Sequence, residues 1–123
     1  MNKRILLIED NEQNRYLVTY LLQARGWEVS HAIDGAAGLS MANEIDPALI
    51  LLDIQLPGMD GYAVARALRE NAKLDGIPVV AVTSYAMAGD RERCIESGCD
   101  GYLEKPIDPQ TFAAQVEQFV RTQ

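Results

Sequence analysis

Basic residues are scarce: 11 lysines and arginines face 18 aspartates and glutamates, leaving a net charge of −7 over 123 residues. Nucleic acid and anionic membranes both require a basic surface, so neither is expected as a direct partner. Long apolar runs are also missing. No stretch approaches the ~20 residues of a membrane span, and Met1-Asn2-Lys3-Arg4 leads into only four apolar residues, too few for a signal peptide. The two cysteines, Cys94 and Cys99, make no disulfide framework and lack the partners of a zinc site, so idle or buried thiols in a reducing, cytoplasmic compartment are expected. The one histidine, His31, falls on the polar face of a strand candidate and reads as solvated. What is plentiful is apolar material, 48% of the chain. At ~150 residues per domain this is about one domain, able to bury roughly two-thirds of the surface its unfolded chain exposes.

The runs Ile5-Leu6-Leu7-Ile8, Leu49-Ile50-Leu51-Leu52 and Val79-Val80-Ala81-Val82 are apolar without alternation, as strands are when helices cover both sheet faces. Glu28–Ala32 alternates and suits one sheet edge; Gly101–Glu104 is short and mixed and suits the other. Between them the period changes to that of helices. Asn11 is expected to cap a first helix with Leu17, Leu21 and Ala24 inward, stopped by Gly26. Asp34 caps a second with Leu39 and Ala42, ending before Pro47. A third spans Gly61 to Glu70 with Val64 and Leu68 inward, and a fourth runs from Asp90 to Ser97 before Gly98. The last is expected to start at Asp108 as cap and Pro109 as first residue, with Phe112, Val116, Phe119 and Val120 on one face. Five βα units without linker or repeat predict an α/β, doubly wound parallel sheet with right-handed crossovers.

In such sheets ligands bind beyond the carboxyl ends of the strands. There the chain places Glu9 and Asp10, then Asp53, then Thr83, then Lys105 followed by Pro106. Each has an ordinary reading alone: a helix cap, a turn former, a strand-end hydroxyl, a turn. Together they put three carboxylates on one rim. Two carboxylates ~5 Å apart repel by about 3 kcal/mol at an effective dielectric of ~20. The cluster therefore needs a cation, a proton or a basic neighbour. Lys105 is one candidate; Mg²⁺, which favours a few carboxylates plus water and phosphate oxygens, is another. Asp53, alone after the central run, is then the candidate nucleophile for a phosphoryl group, with Glu9 and Asp10 suited to the metal and Thr83 and Lys105 to phosphoryl oxygens.

The blocks Ile8-Glu9-Asp10-Asn11, Leu52-Asp53-Ile54-Gln55-Leu56-Pro57-Gly58-Met59-Asp60-Gly61, Val82-Thr83-Ser84 and Glu104-Lys105-Pro106 resemble the receiver domain of two-component response regulators over essentially the whole chain. The resemblance implies a (βα)5 flavodoxin-like fold with strand order 2-1-3-4-5. It implies Asp53 as phosphoacceptor and Mg²⁺ held by Glu9, Asp10, Asp53 and the main-chain carbonyl of Gln55. Thr83 and Lys105 would contact the phosphoryl group, Tyr102 would be the aromatic switch partner of Thr83, and the Lys105–Pro106 bond would be cis. The implied partners are a sensor histidine kinase or a histidine phosphotransfer domain, docking near Asn14, Leu17 and Pro106-Ile107. A downstream protein would bind helix 4, strand 5 and helix 5. The segment from Thr83 to Asp90 resembles stand-alone cell-division regulators of the DivK type and hybrid-kinase receivers more than receivers fused to DNA-binding domains. One receiver domain over 1–123 is expected, with no effector after Gln123, so the signal would leave through protein contacts. Gln55 and Tyr85 match positions that border the phosphoryl group, and a ring at Tyr85 is expected to slow its hydrolysis.

Three rival functions stand beside this reading. A phosphatase of the haloacid dehalogenase type needs a second acid two residues after the nucleophile, where Gln55 stands. A flavodoxin-like electron carrier needs a hydroxyl- and glycine-rich phosphate loop where Glu9-Asp10 stands. A receiver can also serve as a phosphorelay intermediate or bind partners without phosphorylation, and the intact acid set with Lys105 disfavours the latter.

Overall fold

Successive residues of the central strands point to opposite faces, and both faces are buried. Leu6, Ile8, Ile50, Leu52, Val79 and Ala81 join one apolar cluster, while Ile5, Leu7, Leu49, Leu51, Val80 and Val82 join another. This period-2 division of continuous apolar runs is what a helix-covered sheet demands. The computed structural model describes residues 2–56, 58–84 and 89–120. Pro57 and Tyr85 therefore lie outside the described residues, as does the rest of 85–88.

The strands are β1 (Arg4–Ile8), β2 (Glu28–Ala32), β3 (Leu49–Asp53), β4 (Val79–Thr83) and β5 (Gly101–Glu104). All pair in parallel, in the order β2-β1-β3-β4-β5, as the resemblance implied. The helices are α1 (Glu12–Gln23), α2 (Gly35–Ile45), α3 (Gly61–Glu70), α4 (Asp90–Glu96) and α5 (Phe112–Glu117), with one 3-10 turn at Ala72–Leu74. Residues of α2, α3 and α4 (Ala42, Val64, Leu68, Cys94) cover one face of the sheet; those of α1 and α5 (Val18, Leu22, Phe112, Val116) cover the other. Both cysteines are buried and unpaired. No helix among the described residues is long and apolar enough to cross a membrane.

The caps expected at α1 and α2 form, and Asp60 adds one at α3. Asn11 accepts from the Asn14 N–H, Asp34 from Ala37 and Asp60 from Tyr62. The turn after α1 has Gly26 at φ +92°, a region glycine enters without steric cost.

Two helices differ from expectation. In α1 the buried residues are Val18 and Leu22; Leu17 and Leu21 are half-buried and Ala24 is exposed at the C-cap. The inward stripe is thus turned by one residue, because α1 must lie across β1 and β2 and also meet α5. At the other end, Asp108 and Pro109 do not start α5. The Asp108 carboxylate accepts from the Gln110 N–H and its carbonyl from Thr111 and Phe112, which makes a capped turn ahead of a helix beginning at Phe112. Phe119 and Val120 lie past its end, half-buried against the same cluster.

Glu117 fastens α5 to the turn after α1. Its carboxylate accepts from the Trp27 indole N–H at 3.0 Å and from the Arg25 guanidinium, and Arg25 followed by Trp27 holds it below the usual carboxylate range. Trp27 itself is buried. Glu117→Ala leaves the indole N–H without its charged acceptor and is expected to lower stability by roughly 1–3 kcal/mol, read as the urea midpoint.

Candidate functional site

Three adjacent strand ends, β1, β3 and β4, open on the same rim, and backbone hydrogen bonds continue past each. The Glu9 N–H reaches the Ala32 carbonyl at 3.0 Å and the Ile54 N–H reaches Val82 at 3.2 Å. The Lys105 N–H reaches the Thr83 carbonyl at 2.9 Å, which carries Lys105 from β5 to the centre of the rim. The Lys105–Pro106 peptide is cis.

Glu9 and Asp53 are buried and Asp10 is exposed. One carboxylate oxygen from each lies within 4.8 Å of the others. The Lys105 ammonium is 3.1 Å from Glu9 Oε1 and 3.4 Å from Asp53 Oδ2. The other oxygens are held by main chain: Glu9 Oε2 accepts from Asn11 at 3.2 Å and Asp53 Oδ1 from Gln55 at 2.9 Å. Thr83 is wholly buried at the end of β4, one residue beyond the Asp53–Val82 pairing. Tyr102 is half-buried in β5 and packs against the cluster under α2, α3 and α4 rather than among the acids. His31 is exposed on the edge strand, 2.8 Å from the Thr19 hydroxyl.

Two contacts were not foreseen. Arg15 donates to the Glu9 and Asp10 carbonyls at 3.1 and 2.8 Å and so clamps the turn that carries both acids. The Gln55 side-chain oxygen accepts from the Ser84 hydroxyl at 2.5 Å and from its N–H at 3.3 Å. Arg15 had a weak signal, a long cation in the first turn after an acidic pair. The Gln55–Ser84 contact had none, since its partners stand 29 residues apart.

The charge balance is unfavourable without a cation. Burial, then the hydrogen bond and negative charge of Asp53, push Glu9 from 4.5 up to about 7, against the opposing pull of Lys105. The Lys105 ammonium contacts two of the three clustered carboxylates, and all the donors are hard oxygens, a set that fits Mg²⁺. A carboxyl whose folded value is raised costs stability when it ionises. Its contribution is intact below 4.5 and lost as pH rises toward 7, a loss of up to about 3 kcal/mol at ~1.4 kcal/mol per pH unit. Glu9→Gln, measured in chelator, is therefore expected to flatten the fall in melting temperature between pH 4.5 and 7.5 that the unaltered protein shows. Equal slopes in the two proteins would contradict this.

The family model of the response regulator receiver domain matches residues 5–117. The polar-differentiation response regulator DivK of Brucella ovis is 40% identical over 120 residues, covering 98% of both chains; that of Brucella anthropi is equally similar. Among solved structures, the receiver domain of a sensor histidine kinase from Pseudomonas aeruginosa superimposes with a TM-score of 0.88 at 31% identity, covering 98% of each chain. That structure holds a magnesium ion in its active-site cleft. A chemotaxis protein of Vibrio cholerae matches with a TM-score of 0.90 at 25% identity, over 97% of this chain and 99% of its own.

Proposed function

This chain belongs to the response regulator receiver-domain family, and on that premise we propose that it accepts a phosphoryl group from a phosphohistidine onto Asp53 and passes the signal on through protein contacts. Members of the family are signalling proteins rather than metabolic enzymes, and the chemistry here is confined to the protein's own carboxylate.

An Asp53 carboxylate oxygen attacks phosphorus, a P–O bond forms and the P–N bond to the donor imidazole breaks. The imidazole nitrogen leaves with the electron pair and takes up a proton from solvent. Such transfers ask mainly for position and charge neutralisation. The Gln55 N–H, at 2.9 Å, fixes the rotamer of Asp53. The Lys105 ammonium, already 3.4 Å from Oδ2, stays with the charge as it spreads onto the phosphoryl oxygens. The Thr83 hydroxyl supplies a further donor at the neighbouring strand end. Glu9, Asp10, Asp53 and the Gln55 carbonyl would hold Mg²⁺, which when bound supplies charge neutralisation to the phosphoryl oxygens. The convergence of Glu9, Asp10, Asp53 and Lys105 on one rim is the observation that carries this reading.

The donor is a sensor histidine kinase or a histidine phosphotransfer domain, seated over Asn14 and Leu17 at the start of α1 and over Pro106-Ile107. Output runs through α4, β5 and α5. A groove of about 640 Å³ supports that assignment; its walls include Arg91, Ile95, Tyr102, Ile107 and Phe119. Tyr102 lines it and Thr83 sits one strand away, so a shift of Thr83 toward a phosphoryl group is transmitted to the groove through Tyr102. A difference of a few kcal/mol between two packings suffices for such a switch. The protein acts in the cytoplasm, where Cys94 and Cys99 stay reduced.

Incubation with Mg²⁺ and phosphoramidate, read by intact mass, tests the reading. One phosphoryl group is expected on the unaltered protein and none on Asp53→Asn. A protein that takes no phosphoryl group under these conditions overturns it.

A further inference from the structure

Gln55 holds both ends of the site. Its N–H binds Asp53 Oδ1 at 2.9 Å, while its side-chain oxygen takes two donors from Ser84, the hydroxyl at 2.5 Å and the N–H at 3.3 Å. Ser84 is exposed and directly follows the buried Thr83, so it is the first residue of the connection from β4 to α4. Gln55 lies on the connection from β3 to α3, half-buried beside it. The two connections are thus tied across the mouth of the rim by one amide oxygen.

We propose that the Gln55 side chain is a latch: it occupies the Ser84 donors in the unphosphorylated protein and must release them before Thr83 closes on a phosphoryl group at Asp53. The inference rests on the receiver reading above and names what regulates that site. On release the Ser84 N–H exchanges a neutral amide oxygen for a phosphoryl dianion, whose hydrogen bonds are charge-assisted, while the exposed hydroxyl turns to water. The exchange therefore runs downhill once the phosphoryl group is in place, yet the bonds that must first break hold the closed state at a lower population. Apparent affinity for a ligand of the closed state falls by that population. Residue 55 then sets how much donor is needed to throw the switch, through a contact made only in the resting protein.

Beryllofluoride with Mg²⁺, which mimics a phosphoryl group on a carboxylate, is the probe. Half-saturation is measured by the shift in melting temperature for the unaltered protein, Gln55→Met, Ser84→Ala and the double variant. Methionine keeps the length of the side chain but lacks the amide oxygen. Gln55→Met is expected to bind about three- to tenfold tighter, the effect of one or two modest hydrogen bonds. Ser84→Ala moves in the same direction by less, and the double variant gains nothing over Gln55→Met, because both changes cut one contact. Additive gains, or a Gln55→Met that binds no tighter than the unaltered protein, overturn the latch. A Gln55 that merely supports the fold would lower the melting temperature without probe and leave the two effects uncoupled. If the unaltered protein shows no saturable response, the receiver reading itself fails and the latch with it; a normal response without the coupling removes the latch alone.

Discussion

Lys105→Met is expected to remove roughly 3–5 kcal/mol of folding stability at pH 8 in chelator, the usual cost of leaving buried charge without its partner. The Lys105 ammonium is the counter-charge to two carboxylates at once, at 3.1 and 3.4 Å. The side chains of Glu9 and Asp53 are only 4% exposed, so water cannot take its place. A domain of this size has of order 5–15 kcal/mol in total, so the variant stands near the edge of folding. Two conditions should restore it. Protonation of Glu9 removes one of the stranded charges. Since Lys105 is what holds Glu9 down toward 7, its removal moves that protonation to still higher pH. Millimolar Mg²⁺ replaces the lost positive charge. Denaturation midpoints at pH 8 and pH 5.5, with and without Mg²⁺, separate these effects. A variant as stable as the unaltered protein at pH 8 in chelator would mean that the ammonium does not neutralise the cluster.

Gly61→Ala is expected to be nearly as damaging, for a steric reason. Gly61 opens α3, and its N–H binds the Ile54 carbonyl at 3.2 Å. A Cβ at this position would stand 2.6 Å from that carbonyl oxygen, 2.8 Å from its carbon and nearer still to the Ile54 Cα. All of these are backbone atoms, so no side chain can swing aside. Overpacking usually costs 1–3 kcal/mol, and more where nothing yields; about 3 kcal/mol is expected here. The strain falls on Ile54 and Gln55, the residues that position the Asp53 carboxylate, so phosphoryl acceptance should drop together with stability. Gly76→Ala is the control: a Cβ there meets nothing within 4 Å, and both properties should be unchanged. A Gly61→Ala protein with the midpoint of the control would show that the β3–α3 turn has room to relax.

The strands were legible because burial on both faces leaves a run such as Leu49-Ile50-Leu51-Leu52 with no polar residue to confuse it. The acidic rim was legible for a related reason. In a parallel sheet the residue after an apolar run must lie at the carboxyl edge, so Glu9, Asp53 and Lys105 could be gathered without knowing any loop. Two overlapping stripes in α1, Leu17–Leu21 and Val18–Leu22, satisfy the helical period equally, and only contact with the sheet and α5 selects the second. Asp108-Pro109 carries a helix-start signal that the chain spends on a preceding turn, and the helical register resumes at Phe112. The Gln55–Ser84 bond and the Glu117–Trp27 bond join residues 29 and 90 apart, pairings that arise only once β3 lies beside β4 and α5 beside α1.

Borohydride reduction of protein treated with Mg²⁺ and a phosphodonor locates the phosphoryl group most directly, since it converts an aspartyl phosphate to homoserine. Peptide mapping should find homoserine at position 53 and nowhere else, and chelation of Mg²⁺ should abolish it. A phosphoryl group on His31, Ser84 or another acid, or labelling of residue 53 that ignores the metal, would contradict Asp53 as the acceptor in a metal-dependent site.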